Sequence, residues 1–260
     1  MKKNSVRAAI AVASLSAAIP AWADEMPGSL SFTTGVDYSK GDYGTGSDTE
    51  IIVVPLTARY KTGDVRFSAS LPWLHINGAS SIVGGGDGGP VIIDPNAPRT
   101  TRSGLGDLTL GVNWALPEER LGFGLDLGAR VKVPTASESK GLGTGKVDTS
   151  VTAELSKTFG NVTPFVSGGY RLPGDPVGFN LHNAFSASAG ASVVAGKSVA
   201  IASYDYREAT SDLSDDSQEI FGAFSTPVSD HLNFTVYGSG GLSDGAPDFG
   251  VGAMITFKAF

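Results

Sequence analysis

Hydrophobic and polar residues alternate with a period of two along much of this chain. The segment at residues 123–133, FGLDLGARVKV, shows the pattern most plainly, because every odd position is apolar and every even position is glycine or charged. Successive side chains of a β-strand point to opposite faces, so strict alternation predicts a strand with one apolar and one polar face. Which face contacts water decides the kind of protein.

The same pattern recurs along the chain after residue 29 and predicts twelve strands. Their ranges are 30–39, 50–61, 65–76, 107–116, 121–133, 147–159, 162–171, 183–194, 199–207, 217–226, 232–241 and 248–258. The alternation is weakest in the seventh, eighth and tenth of these segments, where small residues blur the two faces. An even number of antiparallel strands can close into a barrel that has no free edge.

The connections between these strands are of two kinds, which alternate along the chain. Those after the even-numbered strands are short, such as Thr62-Gly63 and Gly160-Asn161. Those after the odd-numbered strands are longer and rich in Gly, Ser and Asp, and the longest, 77–103, contains GGGDGGP. Short turns at one end and long loops at the other are typical of outer-membrane barrels, in which the turns are periplasmic and the loops extracellular.

Strand length and aromatic placement favour the same interpretation. Strands of roughly 10–12 residues are long for a soluble sheet but suit a tilted bilayer crossing. Aromatic residues lie near both ends of the strands, as the two interfacial girdles of a membrane barrel require. These residues are Tyr38, Trp73, Tyr170 and Phe249 on the loop side and Tyr60, Trp114, Phe123, Phe159 and Phe257 on the turn side. We therefore predict an all-β fold, a transmembrane antiparallel up-and-down β-barrel of about twelve strands.

The charged residues of the strands lie on the polar phase of the alternation. A soluble barrel would carry them on its outer surface, so the charges alone do not discriminate; in a membrane barrel they face the lumen. The predicted lumen-lining residues are Arg59, Arg66, Asp107, Asp126, Arg130, Lys132, Asp148, Glu154, Arg171, Asp205 and Arg207. Charges of both signs suit either a water-lined constriction or salt bridges that close it, and the sequence leaves both open.

The N-terminal residues predict export. Lys2, Lys3 and Arg7 precede a short apolar run, and Ala21-Trp22-Ala23 follows it. This is the pattern of a secretory signal peptide at residues 1–23, which leaves the barrel at residues 24–260. The full chain has a formal net charge of −7 and no cysteine. Removing the basic leader makes it more acidic still, so we expect no nucleic-acid partner, no disulfide and no thiolate metal site.

The chain lacks the residue patterns of an enzyme or a metal centre. His75, His182 and His231 are its only histidines, and none lies in an H-x-S arrangement, with a serine two residues after it. We interpret His75 as an interfacial residue near the loop side. Acidic residues cluster in two predicted loops, at 212–216 and 244–248, where they are solvated charge or bind divalent cations that bridge to lipopolysaccharide. We predict no catalytic activity, no cofactor and no metal site.

The last predicted strand ends in an aromatic residue. Phe249, Val251, Ala253, Ile255 and Phe257 alternate, and the chain closes with Lys258-Ala259-Phe260. This resembles the signal that the barrel-assembly machinery reads in outer-membrane proteins. The apolar phase ends at Phe257, however, so the terminal Phe260 is out of phase.

Three segments carry a family resemblance. GLGDLTLGVNWAL (104–116), VKVPTASESKGLGTGKVDTSVTAEL (131–155) and PFVSGGYR (164–171) resemble outer-membrane proteins of the MetA-pathway of phenol degradation family. The resemblance implies an outer-membrane barrel that passes aromatic or other small hydrophobic solutes, and it supplies no binding residues. We thus expect a passive channel in the outer membrane, surrounded by lipid. The alternative is a non-transporting structural or surface-interaction barrel.

Overall fold

The computed structural model describes residues 28–79, 82–83, 91–92, 98–176 and 180–260. The predicted signal peptide, residues 1–23, lies outside the described residues and stays a prediction. The strands are β1 (Ser29–Gly41), β2 (Thr49–Thr62), β3 (Val65–Ala79), β4 (Ile82–Val83), β5 (Val91–Ile92), β6 (Arg99–Leu105), β7 (Leu108–Leu116), β8 (Gly124–Val133), β9 (Asp148–Ser156), β10 (Val162–Leu172), β11 (Ala184–Ala195), β12 (Ser198–Arg207), β13 (Ser217–Pro227), β14 (Leu232–Gly241) and β15 (Phe249–Lys258). One helical turn, α1 (Glu118–Leu121), joins β7 to β8, and a 3-10 turn spans Glu138–Lys140. None of the described helices is long and apolar enough to cross a bilayer.

Twelve strands close into one antiparallel barrel, which confirms the predicted fold class. The ring runs β1, β2, β3, β7 and then β8 to β15 in chain order. Strand β15 returns to β1 and pairs with it from Ser31↔Lys258 to Lys40↔Phe249, so no wall strand is left with an unpaired edge. The two short strands β4 and β5 pair only with each other. The β1–β2 ladder is interrupted between Leu30↔Tyr60 and Asp37↔Val53. The other strand pairs of the ring satisfy each other's backbone hydrogen-bonding groups, as a hydrocarbon environment demands.

Strands β6 and β7 share one position in the wall and are separated by a bulge. Trp73 of β3 pairs with Leu105 of β6, whereas Ser70 pairs with Thr109 of β7. Between these two pairs β3 advances by three residues, whereas the opposing segment from Leu105 to Thr109 advances by four. One extra residue is therefore inserted at 106–107. The bulge changes which side chains point inward and buries Asp107 in the barrel.

The apolar phase of the alternation lies on the outside of the barrel. In β8, the strand that shows the pattern best, Leu127 and Val131 are 38% and 39% exposed, whereas Lys132 is buried. Trp73, Tyr170 and the other large apolar residues of the outer face are exposed in the same way around the ring. A continuous exposed apolar surface is unfavourable in water and is what a membrane barrel presents to lipid.

Most predicted strand ends agree with the structure to within one or two residues, and the largest differences occur at two turns. The predicted strand 121–133 begins only at Gly124, because Glu118–Leu121 forms the helical turn and Gly122 ends it with a left-handed backbone (φ 79°). The predicted strand 147–159 ends at Ser156, beyond which Phe159 forms an isolated bridge with Val162. Strand β3 extends past its predicted end because β6 pairs with its last seven residues, 73–79.

Candidate functional site

The structure places all eleven predicted lumen residues at positions that alternate with the exposed apolar residues or, for Asp107, at the inward side of the bulge. They gather into three groups inside the barrel. The upper group, near the long loops, holds Asp107, Lys132, Asp148 and Arg171; the lower group holds Arg59, Arg66, Asp126, Arg130 and Glu154; and the third holds Asp205 and Arg207.

In the upper group every charge is compensated. The Lys132 ammonium nitrogen lies 3.0 Å from Asp148 Oδ2 and 3.4 Å from Asp107 Oδ2. Arg171 donates to the same Asp148 oxygen at 2.7 Å, and the backbone N–H of Gly174 donates to the other at 3.1 Å. Asp107 Oδ1 accepts from the backbone N–H of Ala136 at 2.9 Å. The network thus joins the wall to the loop between β8 and β9 and holds that loop over the barrel mouth.

The lower group is compensated only in part. Arg66 pairs with Asp126, and Asn113 donates to the second oxygen of Asp126 at 2.8 Å. The pair Arg66–Asp126 crosses over the intervening strand β7, so both side chains project inward. Arg59 forms no hydrogen bond or ion pair within the described part of the chain, and the charges of Arg66 and Arg130 are its neighbours.

The third group is held by strand β13 and its neighbours. Arg207 donates to Glu219 Oε1 at 2.9 Å. Asp205 accepts hydrogen bonds from the hydroxyls of Ser188 and Ser203. Glu219 and Asp205 therefore each have a hydrogen-bond partner. This side of the lumen is less positive than the wall formed by β2, β3 and β8.

A part of the inner wall is apolar, which the sequence interpretation did not foresee. The side chains that carry it lie on the inward phase of β10 and of β12 to β15: Phe165, Ile201, Phe221, Tyr237 and Met254. The rings of Phe221 and Tyr237 are 5.9 Å apart, and the Tyr237 hydroxyl donates to Asp37 Oδ2 at 2.9 Å, across β15. The sequence interpretation considered the charged residues of the polar phase, so it missed these apolar side chains on the same phase.

Apolar residues form a buried cluster at the loop end of the barrel. Tyr43, from the loop between β1 and β2, and Leu142, from the loop between β8 and β9, pack against Ile51, Leu74 and Ile76 of the wall. Tyr43 and Leu142 are 2% and 1% exposed. We call these five residues the plug. Loop residues carry no periodic pattern, so nothing in the sequence indicated that these two fold inward.

A cavity of about 210 Å³ lies along the wall formed by β7 to β12. Its lining includes Arg130, Lys132, Arg171 and Arg207, together with the hydroxyl groups of Thr109 and Ser150. The cavity therefore joins the upper group to Arg130 of the lower group, and none of the five plug residues lines it. A small molecule in this cavity would contact cations and hydroxyl groups.

The three histidines contact different partners, and His182 Nε2 lies 3.5 Å from Asp212 Oδ1. His75 lies on the outer face, stacked on Trp73 and 2.7 Å from the Ser103 hydroxyl, but no carboxylate of the described chain hydrogen-bonds to its ring. His231 lies in a short turn and contacts the Lys258 carbonyl oxygen at 3.1 Å. Within the described ranges, no group of three or more His, Cys, Asp or Glu residues is placed to hold a metal ion.

The exposed apolar belt, closed wall, polar lumen and plugged mouth together define an outer-membrane β-barrel. Residues 27–259 match the family model described as MetA-pathway of phenol degradation, which covers nearly the whole chain. The chain therefore belongs to this family, which confirms the resemblance found in the sequence.

Solved structures show the same architecture. The COG4313 outer-membrane channel from Pseudomonas putida F1 superposes with a TM-score of 0.65 at 12% identity, over 93% of this chain and 97% of that one. The β-domain of the Bordetella autotransporter BrkA gives a TM-score of 0.51 at 9% identity, over 89% and 99%. No curated protein sequence matches the chain. These two likenesses support the barrel fold.

Proposed function

We propose that this protein is an outer-membrane channel for the passive uptake of small hydrophobic or aromatic compounds. The observation that carries the proposal is the cavity lined by β7 to β12, together with a plug to which the described loop residues contribute two large side chains, Tyr43 and Leu142. Displacing two side chains is a small change for a loop and opens a path along the inner wall. Family membership and the fold shared with a channel support the same conclusion.

The eleven predicted residues and the apolar wall are proposed to line this path. Aromatic side chains such as Phe221 and Tyr237 offer contact area to an aromatic solute, while the charges opposite them keep the path hydrated. A catalytic role is not proposed, because His75 and Ser103 lack an orienting acid. The assembly machinery, which would bind the closing strand, and lipopolysaccharide, which would contact the loops, remain proposed partners.

The experiment is conductance of the full chain in planar bilayers. The double variant Tyr43→Ala/Leu142→Ala removes the loop part of the plug and should raise single-channel conductance at least about threefold, since hydrophobic constrictions block ions by dewetting. Leu213→Ala, a similar truncation of an exposed residue in another loop, should leave conductance unchanged.

The upper ion network and the plug also suit the alternative, a closed barrel whose loops interact with a partner outside the cell. Silence of both the wild type and the plug variant in bilayers, with both proteins folded, would favour that alternative and contradict the channel.

A further inference from the structure

Arg59 is a cation without a counter-charge. It lies on the inner face of β2 and makes no hydrogen bond or ion pair with any residue that the structure describes. The charges that act on it are the guanidinium groups of Arg66 and Arg130, both of its own sign. Guanidinium groups that lie close together repel one another, and an anion beside Arg59 removes that penalty.

Arg66 supplies a second unsatisfied donor in the same place. One of its Nη atoms pairs with Asp126, but its Nε is buried and has no hydrogen-bond partner. Asp126 is already shared with Asn113. Glu154 also lies near Arg66, yet no carboxylate acts on Arg59. Within the described residues, the Arg59 guanidinium and the Arg66 Nε are therefore the donors of this group that have no hydrogen-bond partner.

Small residues connect the arginines at the two ends of one inward row. Arg59 pairs in register with Ser68, Ser68 with Gly111, and Gly111 with Arg130. A Cβ on Gly111 would lie 2.6 Å from Ser68 Oγ and 3.5 Å from Arg130 Cγ. The row is therefore closely packed at Gly111, and a side chain at this position would displace Ser68 Oγ and crowd the stem of Arg130.

The wall opposite Arg59 and Arg66 is the apolar part of the inner wall. Strands β3 and β12 are six strands apart in either direction around the ring, so they face each other across the lumen. Ile201 of β12 and the adjacent Phe221 and Tyr237 lie on that side. A molecule held by the arginines would place the rest of its body against these side chains.

We infer that Arg59, Arg66 and Arg130 form a binding site for the anionic group of a solute with an aromatic body, such as a small aromatic carboxylate. The inference rests on the proposed channel function and narrows its substrate class. A planar carboxylate accepts two parallel N–H bonds from a guanidinium, which an alcohol or a hydrocarbon does not. The apolar wall would contact the aromatic ring of the solute, and the arginines would bind its carboxylate.

Binding to the purified full chain in detergent tests the site directly. Benzoate is titrated calorimetrically beside benzamide, which has the ring without the charge, and acetate, which has the charge without the ring. Benzoate should bind at least about 10-fold more tightly than either, since charge-assisted bidentate bonds are lost with benzamide and ring contacts with acetate. Benzamide or acetate binding as tightly as benzoate would overturn the assigned substrate class.

Variants locate the site. Arg59→Gln should weaken benzoate binding about 10-fold, whereas Lys61→Gln, which removes an exposed cation from the same face of the same strand, should change it less than about 2-fold. Gly111→Val keeps all three arginines but displaces Ser68 Oγ and crowds the stem of Arg130, so it should weaken benzoate binding as well. Folding of each variant is checked by its heat-modifiable gel mobility. Undiminished benzoate binding in folded Arg59→Gln or folded Gly111→Val would refute the site.

Conductance separates this inference from the channel function on which it rests. In bilayers, the wild type should pass benzoate in preference to chloride, as the reversal potential under a benzoate–chloride gradient shows. A conducting barrel that binds no benzoate would refute the anion site and leave the channel standing. A silent barrel that binds benzoate would refute the channel and leave a benzoate-binding lumen.

Discussion

At the scale of single residues, Tyr43 shows how packing imposes a backbone conformation that the residue type disfavours. Its φ of 50° lies in the left-handed region, which side chains with a Cβ rarely adopt. Asp42 starts the turn by accepting from the backbone N–H of Gly44 at 3.0 Å. The turn directs the Tyr43 ring into the plug, where its hydroxyl donates to Ser39 Oγ at 3.1 Å. Burial of the ring offsets the backbone strain.

A titration of Tyr43 tests this burial. Loss of solvation raises the pKa of the Tyr43 phenol from 10.0 to about 12. The neutral phenol is therefore the form that the fold favours, and its contribution to stability is complete below pH 10 and is lost as the pH rises through 12. The difference in absorbance near 295 nm between the wild type and Tyr43→Phe should show one phenol that titrates near pH 12. Titration of that phenol near pH 10 would mean that the plug is open.

The same scale shows what the sequence was able to predict of the site. Alternation places Lys132 on the opposite phase from the exposed Val131, because a period of two fixes the direction of a side chain. Its partners were not predictable, since Asp107 reaches it through a bulge and Asp148 follows a loop without a periodic pattern. Tyr43 and Leu142 escaped prediction for the same reason. A periodic pattern predicts the direction of a side chain, whereas the conformation of the loops determines which residues it contacts.

At the scale of elements, strand β8 defines which face of the barrel contacts lipid. Leu127 pairs in register with Trp114 of β7 and Ala153 of β9, and all three are exposed on the outer face. The wall strands were predictable because each repeats the same two-residue pattern over nine or more residues. The bulge at 106–107 and the turn α1 were not predictable, because each interrupts the alternation over only a few residues.

Leu127→Arg tests the orientation of β8. A cation placed at mid-membrane depth on the lipid face should lower the free energy of unfolding by about 2–4 kcal/mol. Leu121→Arg makes the same change at an exposed position in the helical turn α1, outside the wall, and should cost no more than about 1 kcal/mol. Urea unfolding in lipid vesicles, followed by tryptophan fluorescence, measures both. Equal costs for the two variants would contradict the assignment of the outer face to lipid.

At the scale of the whole molecule, one strand pairing converts the sheet into a barrel. Strand β15 joins β14 to β1, and Phe257 pairs with Leu232 on one side and Phe32 on the other. Phe260 lies beyond the strand, and its carbonyl oxygen accepts from the backbone N–H of Leu30 at 3.1 Å. The backbone of Phe260 thus contributes to closure, whereas Phe257 contributes a side chain to the outer face of the closing strand.

Alanine substitutions distinguish the two phenylalanines. Phe257→Ala removes apolar contacts from the closing seam and the aromatic residue that is in phase, so it should lower the yield of folded barrel by more than half. Phe260→Ala keeps the backbone hydrogen bond and should reduce the yield less, and Phe249→Ala, at the other end of β15, controls for the loss of any lipid-facing ring. Folded and unfolded forms separate by heat-modifiable mobility on a gel. If Phe260→Ala proves the more damaging change, the end of the chain rather than the phase of the strand directs assembly, and closure depends on recognition before the seam forms.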